Sequence, residues 1–209
     1  MASRSGDKYA AILDAAQTVI ARQGYHNAQI SRIAAEAGVA AGTVYLYFKN
    51  KPDLLVSLFR DRLGLLVDGA RGSLAEATGP QEKLRRFIKQ HLRALGTRRE
   101  LAVVTQIEMR QADGAVQQQI SKIMKGYFHV IDEIIEEGQR SGEFKQHLDR
   151  RQIRNLVFGT LDQTVTAWVM SGFHFDLEAL ALPTFELIRG GVCECGQGGA
   201  QKDGHSGAA

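Results

Sequence analysis

Gly24, Gly38 and Pro52 cut the sequence between residues 24 and 52 into two short pieces, and this punctuation constrains the fold more than any other feature. Glycine is the common residue just past a helix end, and proline fits a helix's first turn. Each piece has room for about two turns of helix. Helices that short do not hold alone, so they must bury an apolar side against something longer. The first piece, 30–37, carries Ile30, Ile33, Ala34 and Ala37 on one side, and the second, 41–48, carries Val44 and Phe48. The segment before them repeats Ile12, Ala15, Ala16, Val19 and Ile20 at the three-and-four spacing of a helix face. The predicted unit is three helices, the last two joined by the glycine-containing turn "GVAA". That is the helix-turn-helix arrangement, whose second helix enters the major groove of DNA.

The second piece has the residues that such a role needs. Ala40, Ala41 and Gly42 let backbone approach a phosphate, and Thr43 brings a hydroxyl and a methyl to the helix N-terminus, near base edges. Tyr47 is free of the Val44/Phe48 face and can give its hydroxyl to a phosphate, while Lys49 and Lys51 meet backbone charge at the exit. Aromatics at helical spacing are often plain core and surface lysines are often only solvated. The punctuation around them is what favours the DNA reading.

The remainder reads as helix throughout. Patterns cover 52–76, 81–95, 100–110, 114–140, 149–170 and 175–189, with breakers at 77–80, 96–99, 141–144 and 171–173. No period-two strand stands out and no internal repeat is visible. The expected fold class is all-α: an N-terminal three-helix helix-turn-helix DNA-binding domain at 1–50, a C-terminal helical ligand-binding and dimerisation domain at 51–190, and a flexible glycine-rich tail at 191–209. A net charge of +3 is too small to identify a nucleic-acid binder by itself. No apolar run of about 20 residues predicts a membrane span, and no signal-peptide pattern opens the chain, so the expected compartment is the cytoplasm. Cys193 and Cys195, with His205, lie in the glycine-rich tail, where no preorganised metal site is expected. No cofactor is expected.

The stretch "GYHNAQISRIAAEAGVAAGTVYLYFKNKPDLL", 24–55, resembles the DNA-binding domain of TetR-family transcriptional regulators. The match lies in the spacing of Ile33-Ala34, Ala37-Gly38-Val39, Gly42-Thr43, Tyr45, Tyr47-Phe48 and Lys51. The resemblance implies a homodimeric, ligand-responsive repressor that binds double-stranded operator DNA. It implies DNA contacts at Gln29, Thr43, Tyr47 and Lys51, to which Ser31, Ala41, Gly42, Tyr45 and Lys49 are added as candidates. Three positions depart from the family pattern. Ala28 and Ala40 replace a usual Thr or Ser, losing caps worth about 1 kcal/mol each, and Ala41 replaces a frequent Lys. Asn27 or Gln29 is expected to compensate as a cap, and Arg4 and Lys8 as cations.

The second domain reads as the wall of an apolar tunnel. Val103, Val104, Ile107, Met109, Ile120, Ile123, Met124, Tyr127, Phe128 and Ile131 form one broad apolar surface, and Leu156, Val157, Leu161, Val165, Trp168 and Val169 form another. Sparse polar groups interrupt them, as in a pocket for a lipid-like ligand. Plain core is the commoner meaning of such stripes. Here too there is a narrower resemblance, to the acyl-CoA-responsive fatty-acid-degradation repressors within the TetR family. It runs from about residue 8 to 188 and is closest at "YLYFKNK", "VTQIEMRQ", "KGYFHVIDEIIEEGQRSGE" and "GTLDQTVTAWVM". It implies a long-chain acyl-CoA effector that releases the protein from DNA. Arg86, Lys89 and Arg93, on one face of 81–95, and Arg110 are candidates for the coenzyme A phosphates. Gln106, Met109, Tyr127, Phe128, Phe158, Asp162, Val165, Trp168 and Val169 are candidates for the tunnel. The alternative within the class is a repressor of an efflux pump that senses another hydrophobic molecule. An enzyme is not expected, since no G-x-S-x-G elbow or phosphate-binding glycine loop is present. The helix at 52–76 is the expected lever between domains, and the last two helices are the expected dimer face.

Overall fold

A computed structural model of the chain describes residues 2–108, 110 and 113–194, without the side chains of residues 2–5 and 108. Among them are nine α-helices, a π-helical turn and a short 3-10 turn. The expected all-α class holds, with a single isolated bridge between Phe144 and Cys193 among the described residues.

Helix α1 (Ala2–Gln23) ends where Gly24 takes φ 79° and its N–H reaches Ile20 O at 2.8 Å. The short helices α2 (Ile30–Glu36) and α3 (Ala41–Tyr47) are separated by Gly38 at φ 66°. Ile33, Ala34, Val44 and Phe48 are buried with Ile12, Ala16 and Ile20 of α1, and Tyr9 stacks on Phe48 at 5.1 Å. Phe48 itself is extended, so α3 stops one residue earlier than the pattern suggests. The expected compensating caps are absent. Gln29 occupies the N-cap of α2 without a side-chain hydrogen bond, and the Asn27 amide turns back to Gln23 O at 3.0 Å.

Helix α4 (Lys51–Leu74) starts strongly. The Asn50 carboxamide oxygen accepts the Asp53 N–H and the Asp53 carboxylate accepts the Lys49 N–H, each at 2.9 Å. The helix then runs from the exit of α3 deep into the second half of the molecule, burying Leu54, Leu55, Leu58, Phe59, Leu63 and Leu66. Helix α1 is stapled to it by Arg62, whose guanidinium pairs with Asp14 and donates to Gln17 Oε1 at 3.0 Å.

Around α4 lie α5 (Pro80–Gly96), α6 (Arg99–Val103), α7 (Gly114–Ser141), α8 (Arg150–Met170) and α9 (Ala181–Val192). Two expected helices are broken. The one expected at 100–110 passes into a π-helical turn at Val104–Glu108, where Thr105 Oγ1 donates back to Leu101 O at 2.9 Å and competes with the regular ladder. The one expected at 175–189 becomes the 3-10 turn Glu178–Leu180 and then α9. Asp176 accepts the N–H groups of Glu178 and Ala179, the Trp168 indole N–H holds Phe175 O at 2.8 Å, and Pro183 sits in the new first turn. Helix α9 continues to Val192, and Cys193 beyond it is buried, its thiol pushed up by burial.

Candidate functional site

On the N-terminal surface the scaffold turns outward what its core does not use. Gln29, Ser31, Ala41, Gly42 and Lys49 are exposed, and Tyr45 is 57% exposed. Thr43 is half-buried at the first turn of α3. Leu46 is 83% exposed on the same helix and offers an apolar contact of the kind that a thymine methyl accepts. Sequence reasoning passed over it, although its place outside the Val44/Phe48 face was a legible signal. Tyr47 is half-buried, its ring tilted against Tyr9 at 6.2 Å. Lys51 Nζ donates to His26 O at 2.9 Å and lies 4.7 Å over the Tyr25 ring, and burial lowers its pKa. Its ammonium therefore also braces the loop between α1 and α2. Lys8 is exposed, and the Arg4 side chain, the other expected cation, lies outside the described residues.

In the second half, a narrow apolar cleft lies between α4, α5, α7 and α8, with a cavity volume of about 40 Å³. Phe59, Leu63 and Leu66 of α4, Leu95 of α5, Met124 of α7 and Phe158 of α8 supply its apolar wall. Polar groups converge at a few points. Thr166 Oγ1 donates to Gln106 Oε1 at 2.9 Å, and Arg110 pairs with the Asp162 carboxylate at 2.5 Å. Deeper in, Tyr127 OH lies 2.5 Å from His91 Nδ1, and both residues are buried. Burial lowers the His91 pKa to about 4, so its imidazole is neutral near pH 7, and burial raises that of the Tyr127 phenol. Such a wall suits a long apolar ligand with few polar atoms.

Of the residues singled out for the tunnel, Gln106, Tyr127, Phe158 and Asp162 line this cleft, and Arg110 stands beside it on Asp162. Phe128 meets the Phe158 ring edge-on at 5.0 Å behind the lining. Val165 is buried and Val169 half-buried outside it. Trp168 packs edge-on against Phe173 at 4.7 Å and borders a separate surface hollow with Arg93 and Arg99. Met109 lies outside the described residues.

The structure does not gather Arg86, Lys89 and Arg93 at the cleft. Arg86 donates to Glu82 at 2.7 Å and to Ser73 O at 3.3 Å. Glu82 also takes Arg85, and hydrogen bonds from Arg85 first and Arg86 second hold its carboxyl down at about 2. Lys89 borders a polar hollow with Arg85, Asp176 and Glu178, and Arg93 lies 4.0 Å from Glu178. Sequence reasoning also missed His91 and the aliphatic lining from α4. Among the described residues no cluster fit to hold a metal ion is present, and no helix is long and apolar enough to cross a membrane.

Two family models match the chain, "Bacterial regulatory proteins, tetR family" over residues 12–58 and "YsiA-like protein, C-terminal region" over residues 59–191. The chain is 46% identical to the fatty acid metabolism regulator protein of Bacillus subtilis strain 168, over 88% of this chain and 95% of that protein. Two solved structures share the fold at high identity. The fatty acid degradation regulator FadR of Bacillus halodurans superposes with a TM-score of 0.86 at 47% identity, over 88% of this chain and 95% of that one. FadR of Bacillus subtilis in complex with stearoyl-CoA superposes with a TM-score of 0.85 at 46% identity, over 88% and 98%.

Proposed function

The chain belongs to the tetR family of bacterial regulatory proteins, and from that premise we propose that it represses genes of fatty-acid degradation and leaves its operator when long-chain acyl-CoA binds the cleft. It is a DNA-binding regulator and not an enzyme. The observation that carries the mechanism is the path of α4. In its first turn Asp53 accepts the Lys49 N–H just past α3, and its Phe59, Leu63 and Leu66 form one wall of the cleft. A ligand that parts this wall moves the helix that carries the recognition surface. The α1 staples add a second link, since Thr18 Oγ1 donates to Glu100 Oε2 at 2.8 Å, just ahead of the π-helical turn that borders the cleft.

The ligand's class is supported by the apolar lining and by the stearoyl-CoA bound to the Bacillus subtilis relative. We take 1–50 as the DNA-binding part and 51–190 as the effector and dimerisation part, in a cytoplasmic homodimer. Leu156 and Met170 of α8 and Leu182 and Leu187 of α9 are exposed apolar side chains suited to a four-helix contact with a second copy. Two copies would set their α3 helices about 34 Å apart, or a multiple of that, to meet successive major grooves. The effector binds the arrangement that misses this spacing better than the one that meets it.

The test is a DNA titration on a fatty-acid gene promoter with and without stearoyl-CoA, with stearate and coenzyme A as controls. Release by the thioester alone is the expected result. DNA binding that no acyl-CoA disturbs overturns the effector and leaves the repressor of another hydrophobic signal.

A further inference from the structure

Where α5 and α7 meet, the cleft is bounded by a polar pair. His91 comes from α5 and Tyr127 from α7, and their hydrogen bond crosses between the two helices. On its other side lies a second seam, bordered by Leu66 and Ala70 of α4, Phe87 and the half-buried Gln90 of α5 and the same pair. The seam is too narrow for a water molecule. Leu66, His91 and Tyr127 are common to both spaces, so the pair is the partition between them.

The pair is also incompletely satisfied. Among the described residues, none gives His91 Nε2 a hydrogen-bond partner, and the atom is buried. If the Tyr127 O–H donates to Nδ1, only the Nε2–H is unmet. The opposite tautomer leaves two groups unmet, the Tyr127 O–H and the Nε2 lone pair, so the first arrangement is favoured. A partition that already holds an unmet donor loses less on opening than a fully paired network would. Because both rings are neutral, an alkyl chain can pass them without displacing a charge.

We propose that the seam behind His91 and Tyr127 is the terminal subsite for long acyl chains, and that the pair sets the chain length at which the effector is recognised. This rests on the acyl-CoA reading of the cleft. Shorter chains end in front of the pair. Longer chains push His91 aside and seat their last methylenes between α4, α5 and α7. Leu66 and Ala70 belong to α4, so the chain that passes the partition also wedges the helix that leads to α3.

The test is calorimetric binding of saturated acyl-CoA esters, from decanoyl- to stearoyl-CoA, to the whole protein and to His91→Ala. Each methylene that finds an apolar seat contributes about fourfold in affinity. Wild type is expected to show a stall in this gain where chains reach the pair, and His91→Ala to remove it. The ratio of stearoyl- to decanoyl-CoA affinity then rises about tenfold over wild type. Tyr127→Phe keeps the ring and removes the hydroxyl, so it moves the ratio the same way by less, and it serves if His91→Ala does not fold. A merely structural role lowers all affinities in parallel and leaves the ratio unchanged. An unchanged ratio in both variants, with wild type binding the series, overturns the partition alone. A wild-type protein that binds no member of the series overturns the acyl-CoA reading, and this subsite with it.

Discussion

On α2 and α3 most of the side chains offered to a partner project from a scaffold whose packing is complete without them, Tyr47 on Tyr9 being an exception, whereas in the cleft the groups offered to a ligand are themselves part of the packing. Ile33, Ala34, Val44 and Phe48 close the small core, and Gln29, Tyr45, Leu46 and Lys49 take no part in it. Around the cleft, Phe59, Leu63 and His91 are at once core and lining. The difference predicts that function and stability separate on the first surface and not in the second.

The sharpest test of that contrast is Phe59→Ala. The residue is 1% exposed and belongs to both core and cleft wall, so truncation should cost about 4 kcal/mol in urea unfolding and weaken acyl-CoA binding together. Next comes pH. The unfolded chain binds a proton on His91 below about pH 6.5, while the folded protein does so only near pH 4. Stability from this group is therefore intact above pH 6.5, falls as pH drops towards 4, and levels off below. The decline is on the order of 3 kcal/mol, and His91→Leu should flatten it in unfolding curves taken across that range. On the outer face, Tyr45→Ala should weaken operator binding about tenfold, or roughly 1.4 kcal/mol, while thermal unfolding and acyl-CoA affinity stay at wild-type values. A matching fall in the melting temperature would break the contrast. The smallest effect is expected at the junction. Asn50→Ala removes the cap of α4 and should cost about 1 kcal/mol, with a larger loss in DNA binding than in acyl-CoA binding.

The same contrast explains what the sequence made legible. Gly24, Gly38 and Pro52 mark local events that depend on backbone conformation alone, so the end of α1 and both bounds of α2 and α3 could be placed within a residue or so, while the start of α1 at Ala2 could not. Gln106, Tyr127, Phe158 and Asp162 were visible because a polar or aromatic group interrupts an aliphatic stripe. Leu63, Leu66 and Leu95 were not, because a leucine facing a cleft and one facing another leucine have the same spacing. His91 sits on the apolar stripe of α5 with Leu84, Phe87, Ile88, Leu92 and Leu95, and that phase was a usable sign of burial. Arg86, Lys89 and Arg93 share a helix face, but spacing does not say what covers it. Glu82 takes Arg86, and the other two border different polar hollows. The break before α9 depends on Asp176 and on the Trp168 contact, the second of which is tertiary.

In the proposed mechanism the outward DNA face and the inward cleft are coupled through α4. Coupling between binding sites is reciprocal, so the most direct measurement is stearoyl-CoA affinity for the free protein and for the protein saturated with operator DNA. Coupling through α4 predicts weaker binding to the DNA complex, by the same factor by which stearoyl-CoA weakens operator binding. Equal affinities for the two forms would contradict it.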